Sequence, residues 1–99
     1  MAGTQEITLD SVVVAARDQL SSDLGDEVAI LGLQKSTYYS VTGSGRAIWE
    51  LLQTRRRVSD LLDELLARYT VDADRCRTDL LGLLRRLHDE GLIEIGDGA

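Results

Sequence analysis

The chain has 99 residues, 43% apolar and 28% charged, with 17 acidic residues against 11 basic ones for a net charge of −6. That suits one domain, which at this size buries roughly two-thirds of its unfolded surface and folds without staples. The composition argues against a basic nucleic-acid footprint. One Cys and one His exclude an internal disulfide and a self-contained zinc site.

No apolar run reaches the roughly 18 residues of a membrane span. The start, Met1-Ala2-Gly3-Thr4-Gln5-Glu6, lacks the positive charge and apolar stretch of a signal peptide. A lone thiol suits a reducing compartment. These features lead to the expectation of a cytoplasmic protein, a binder rather than a catalyst.

Residues 6 to 16 contain β-branched runs of strand type, and Arg17 to Asp26 reads as a polar loop. Glu27 to Leu33 is a strand, Gln34-Lys35-Ser36 a turn, and Thr37 to Val41 the returning strand of an antiparallel hairpin. Gly32 within the hairpin marks a bulge or a close backbone approach. Thr42 is placed to cap a first helix that buries Ile48, Trp49 and Leu52. Thr54-Arg55-Arg56-Arg57 breaks the pattern and is expected to be a solvated loop.

Val58, Leu61, Leu62, Leu65, Leu66 and Tyr69 follow the i, i+3, i+4, i+7 series of a second, one-faced helix. Asp72 caps a third helix with the stripe Cys76, Leu80, Leu83, Leu84 and Leu87, and Gly91 stops it in a left-handed conformation. Leu92 to Ile95 alternates like a strand. Residues 1–5 and 96–99 are expected to be flexible ends of a single domain spanning 1–99. The sum is an α+β, winged helix-turn-helix-like fold, an N-terminal three-stranded antiparallel sheet followed by three helices.

No catalytic set assembles. Cys76 and His88 are twelve residues apart on one helix, roughly 18 Å at 1.5 Å per residue. Gly43-Ser44-Gly45 lacks the third glycine and the lysine of phosphate-binding loops. The carboxylates of Asp60, Asp63, Glu64, Asp72, Asp74 and Asp79 follow no ligand spacing and read as solvated helix faces. Neither a cofactor nor a metal is expected.

Two features suit a peptide instead. Leu81, with Arg77, Leu84 and His88, broadens one flank of the third helix beyond its core stripe, either as a groove or as packing against the sheet or the N-terminal segment. The strand carrying Tyr38-Tyr39, if it is a sheet edge, offers free backbone groups to an added strand.

The ordered set Tyr38-Tyr39-Ser40-Val41-Thr42, Gly45-Arg46-Ala47-Ile48-Trp49, Val58-Ser59-Asp60-Leu61-Leu62, Tyr69-Thr70-Val71-Asp72 and Gly91-Leu92-Ile93 resembles the PqqD-like family. These are the precursor-peptide recognition elements of ribosomally made, modified peptides. The chain looks most like their stand-alone, lasso-peptide type. It departs from the family pattern at Val41-Thr42, Ser44 and Arg57, which concern helix starts.

The resemblance implies a non-catalytic protein that binds the leader of a precursor peptide as an extra strand beside the third strand of the sheet, against the third helix. In this chain the implied peptide-binding residues are Thr37, Tyr38, Tyr39, Ser40 and Val41 with Arg77, Leu80, Leu81, Leu84, Arg85 and His88. Pockets near Tyr39 and Leu84 would select leader side chains, and Arg77 and Lys35 would meet acidic ones. In lasso-type pathways the leader is presented to a transglutaminase-like cysteine peptidase and the core goes to an ATP-dependent macrocyclase. Neither nucleic acid nor a membrane is expected as a partner.

The competing class is a winged-helix DNA-binding regulator. From Asp72 to Glu90, however, five acidic residues outnumber four arginines, where a recognition helix needs a neutral or basic face.

Overall fold

The computed structural model describes residues 7–33 and 36–96. Six strands and three helices follow one another as β1 (Val12–Ala15), β2 (Gln19–Asp23), β3 (Glu27–Gly32), β4 (Thr37–Thr42), α1 (Ser44–Leu51), β5 (Arg56–Arg57), α2 (Val58–Arg68), α3 (Ala73–Asp89) and β6 (Ile93–Gly96). They form two small antiparallel sheets, β5-β1-β6 and β2-β3-β4, around the helices.

The hairpin of β3 and β4 pairs Ile30 with Tyr39 and Val28 with Val41. Because side chains alternate along a strand, this row turns inward, and Val28, Ile30 and Val41 are buried. The expected polar loop at 17–26 is partly strand: β2 pairs along β3 from Gln19–Gly32 to Asp23–Val28. Its sequence, Gln-Leu-Ser-Ser-Asp, carries no apolar alternation because it is an exposed edge strand that buries almost nothing. The three-stranded sheet is therefore β2-β3-β4. The first expected strand, β1, pairs instead with β6, from Val12–Gly96 to Ala15–Ile93, so Gly96 belongs to a strand.

Two further expectations are corrected. Thr42 stays in β4, opposite Glu27, and Gly43 at φ 57° is the N-cap of α1 without any side-chain cap. A positive φ is open to glycine at little cost. The arginine run is also not a free loop. Arg56 and Arg57 pair with β1 as β5, while Arg56 Nε donates to the Leu51 carbonyl at 2.8 Å and Arg57 to the Asp10 carbonyl at 3.2 Å.

The cap at Asp72 is present, its carboxylate accepting from the Arg75 N–H at 3.0 Å, and Gly91 is left-handed at φ 76°. The expected turn at Gln34-Lys35, the ion-pairing role of Lys35 and the ends 1–5 and 97–99 lie outside the described residues.

The core joins both sheets to one face of each helix: Val13, Ile30, Trp49, Leu52, Leu61, Leu80, Leu84, Leu87 and Leu92 are all buried in it. Gly32 is a close approach, as its position suggests. A Cβ there would lie 2.8 Å from Leu92 Cδ2 and 2.8 Å from Thr37 Oγ1, and that hydroxyl donates to the Glu90 carbonyl at 3.2 Å, tying β4 to the end of α3. Gly32→Ala is expected to lower stability by about 1–3 kcal/mol through overpacking, measured by urea denaturation.

Candidate functional site

β4 pairs with β3 on one side only and closes the sheet as an edge, so its other side presents unpaired backbone N–H and C=O groups. Two contacts locate α3 along that edge. Thr37 meets Glu90 through the hydrogen bond above. At the other end, a Cβ on Gly45 would touch Val41 at 3.4 Å and Leu83 Cδ2 at 3.8 Å. Hence α3 runs antiparallel to β4, with its Leu83-to-Glu90 half beside the strand.

Between them lies a cleft of about 590 Å³ lined by Tyr39, Gly82, Arg85, Arg86, Asp89 and Glu90. A second, more apolar depression of about 540 Å³ adjoins it along α3. Ile48 of α1, Leu65 of α2 and Cys76, Leu80 and Leu83 of α3 line it, and Tyr69 and Val71 stand at its rim. The two depressions thus follow one another along α3, the apolar one toward its N-terminal half and the charged one toward Glu90.

The residues expected from the sequence divide into three groups. Thr37 to Val41 form the edge strand, with Thr37, Tyr39 and Val41 on the inner row and Tyr38 and Ser40 on the outer face. Arg85 joins Tyr39 in the cleft. Leu80 and Leu84, 1% and 0% exposed, are core residues; Leu80 is the floor of the apolar depression and Leu84 is covered.

Arg77, Leu81 and His88 line neither depression. At 100° per residue, Leu81 and Leu83 stand about 100° to either side of Gly82. Leu81, like Leu83, is partly buried against the core, and Arg77 is paired with Asp74 at 3.5 Å. The α3 residues that share the cleft with Tyr39 are Gly82, Arg85, Arg86, Asp89 and Glu90.

Gly82 lies in the middle of α3, where glycine costs about 1 kcal/mol relative to alanine, and nothing lies within 4 Å of where its Cβ would be. Its lack of a side chain leaves the cleft open where another chain's backbone would pass. It is not among the residues expected from the sequence, although a glycine in a helix interior is the signal that could have found this flank.

Cys76 is half-buried at the apolar end, and burial, helped by the nearby Asp79 carboxylate, raises its thiol pKa. That setting favours the unreactive thiol over the thiolate. Cys76 and His88 share the unbroken α3 and form no pair. Among the described residues no three His, Cys, Asp or Glu side chains gather as metal ligands, and no helix is long and apolar enough to cross a membrane.

A third surface is apolar without being concave. Leu20, Leu31 and Tyr38 sit directly opposite one another across β2, β3 and β4, on the outer face of the sheet, 61%, 40% and 66% exposed.

The family model for coenzyme PQQ synthesis protein D (PqqD) matches residues 27–93. A similar solved structure is that of TbiB1 in complex with the TbiA(beta) leader peptide. Its TM-score is 0.75 at 33% sequence identity, and the match covers 82% of this chain and 94% of that one. No curated protein matches.

Proposed function

The chain belongs to the PqqD family, and from that premise we propose that it captures the leader segment of a ribosomally made precursor peptide as a strand added to β4. The observation that carries the proposal is the coincidence of a free strand edge with a groove walled by α3. Main-chain pairing supplies affinity with little demand on sequence, and the groove supplies selection. Support from outside the chain is the leader peptide bound to the similar TbiB1.

An antiparallel added strand is favoured, because antiparallel pairing is slightly the stronger per residue and the rest of the sheet is antiparallel. The leader then runs from the Thr42 end of β4 to the Thr37 end, parallel to α3. Its earlier residues meet the apolar depression and its later ones the charged cleft. A DNA-binding role gains little from the N-terminal half of α3, whose Arg75 and Arg77 are locally compensated by Asp79 and Asp74.

Gly82 provides the test. Gly82→Gln fills open space on an exposed helix position, so it is expected to raise stability by about 0.5–1 kcal/mol. In the same variant, affinity for the cognate leader falls at least tenfold in a fluorescence-anisotropy titration. A stabilised variant that binds as tightly as wild type removes the groove from the proposal.

The finer part of the reading is presentation to a cysteine leader peptidase, and then of the core to an ATP-dependent macrocyclase, in a lasso-type pathway in the cytoplasm. The whole 1–99 chain acts as one binding domain without catalysis of its own. A leader precedes its core, so the segment to be cut leaves the groove at the Thr37 end. The outer row of Leu20, Leu31 and Tyr38 lies at that same end of the sheet and is the surface on which the peptidase would dock. Leu31→Asp is expected to leave leader affinity within about twofold of wild type while abolishing stimulation of leader cleavage in a reconstituted assay.

A further inference from the structure

The two depressions along α3 differ in character, and the difference restricts what a strand lying over both can be. At the far end from α1 stand Arg85 and Arg86, both exposed. Neither has an ion-pair partner among the described residues, although Arg46, Arg68, Arg75 and Arg77 are each within 4 Å of a carboxylate. Asp89, which lines the same cleft, is itself engaged. Two guanidiniums without an ion-pair partner thus stand in this cleft beside Asp89 and Glu90, on a protein of net charge −6. Guanidinium geometry matches carboxylate with paired N–H donors, so this end selects an acidic side chain.

We propose, building on the reading of β4 as a leader-binding edge, that the leader carries an apolar residue followed two or four positions later by Asp or Glu, the acidic residue being read by Arg85 and Arg86. The spacing follows from the strand. Inward positions recur every second residue, and Tyr39 lines the charged cleft whereas Val41, one inward step on, packs beside Gly45 and Leu83 at the apolar end. An antiparallel leader residue facing Tyr39 therefore follows by two the one facing Val41, and by four one that reaches beyond it over Leu80 and Leu83.

The test is selection from a random 12-residue phage-displayed peptide library on the immobilised full chain, in parallel with Arg85→Gln/Arg86→Gln. Wild type is expected to enrich an apolar residue with Asp or Glu two or four positions C-terminal to it, and the variant to enrich the apolar residue alone. Replacing that acidic residue by its amide in a synthetic selected peptide weakens binding to wild type roughly two- to fivefold, the size of an exposed ion pair. The difference closes near 1 M salt, where the screening length is about 3 Å. Apolar enrichment without acidic preference on wild type overturns this proposal and leaves strand capture standing. If no extended peptide is enriched, or if competition with peptide leaves β4 amides unprotected, strand capture itself fails.

Discussion

Leu83→Asp is expected to weaken leader binding at least tenfold, and Leu81→Asp to leave it within about threefold. The two leucines are two residues apart on α3 and both are partly buried against the core, so the substitutions carry comparable costs in stability. They differ in direction. Leu83 lies at the junction of α1, β4 and the apolar depression, where burying one apolar leader side chain contributes about 1.5–3 kcal/mol. A carboxylate there opposes that burial, and each 1.4 kcal/mol lost is tenfold in affinity. Leu81 stands to the other side of Gly82 and lines neither depression. Isothermal titration calorimetry of both variants, after circular dichroism has shown them folded, reads the comparison; equal losses would contradict the assignment of flanks.

Leu84→Ala acts through the fold instead. Leu84 is fully covered, within a cluster that includes Leu80, Leu87 and Leu92, and truncating a buried leucine costs about 2–5 kcal/mol. That is a large share of the stability of a small domain, commonly about 5–15 kcal/mol, so the urea midpoint should drop steeply. Measured on the fraction that remains folded, leader affinity should stay near wild type. A variant of native stability that loses binding would return Leu84 to the groove.

These two results bear on how the sequence encodes the site. The helical faces of α2 and α3 were readable because Leu61, Leu65, Leu80, Leu84 and Leu87 recur at helical spacing and are buried. The hairpin was readable from its β-branched runs, and so were the stop at Gly91 and the cap at Asp72. β2 was not, because an edge strand with four exposed residues has no reason to alternate. Nor was β5, two arginines that enter a sheet by backbone pairing and whose side chains reach carbonyls.

The candidate site was half legible for a similar reason. Tyr38-Tyr39 marked the strand, and local spacing showed that α3 has more apolar surface than its core stripe needs. It did not show which flank lies beside β4. The approaches of Thr37 to Glu90 and of Gly45 to Leu83 are long-range and leave no periodic trace. Leu83 was hidden by being counted into the core stripe, whereas Leu81 stood out only because it lies off that axis.

Amide hydrogen exchange of residues 37–42, with and without the cognate leader, tests strand addition most directly. Strand addition predicts that amides on the open side of β4 become protected when leader is bound, with cross-strand NOEs from those residues to the leader backbone and little change in β2. Protection confined to β2, or to the Arg77–Leu81–His88 flank of α3 with β4 unaltered, would contradict it.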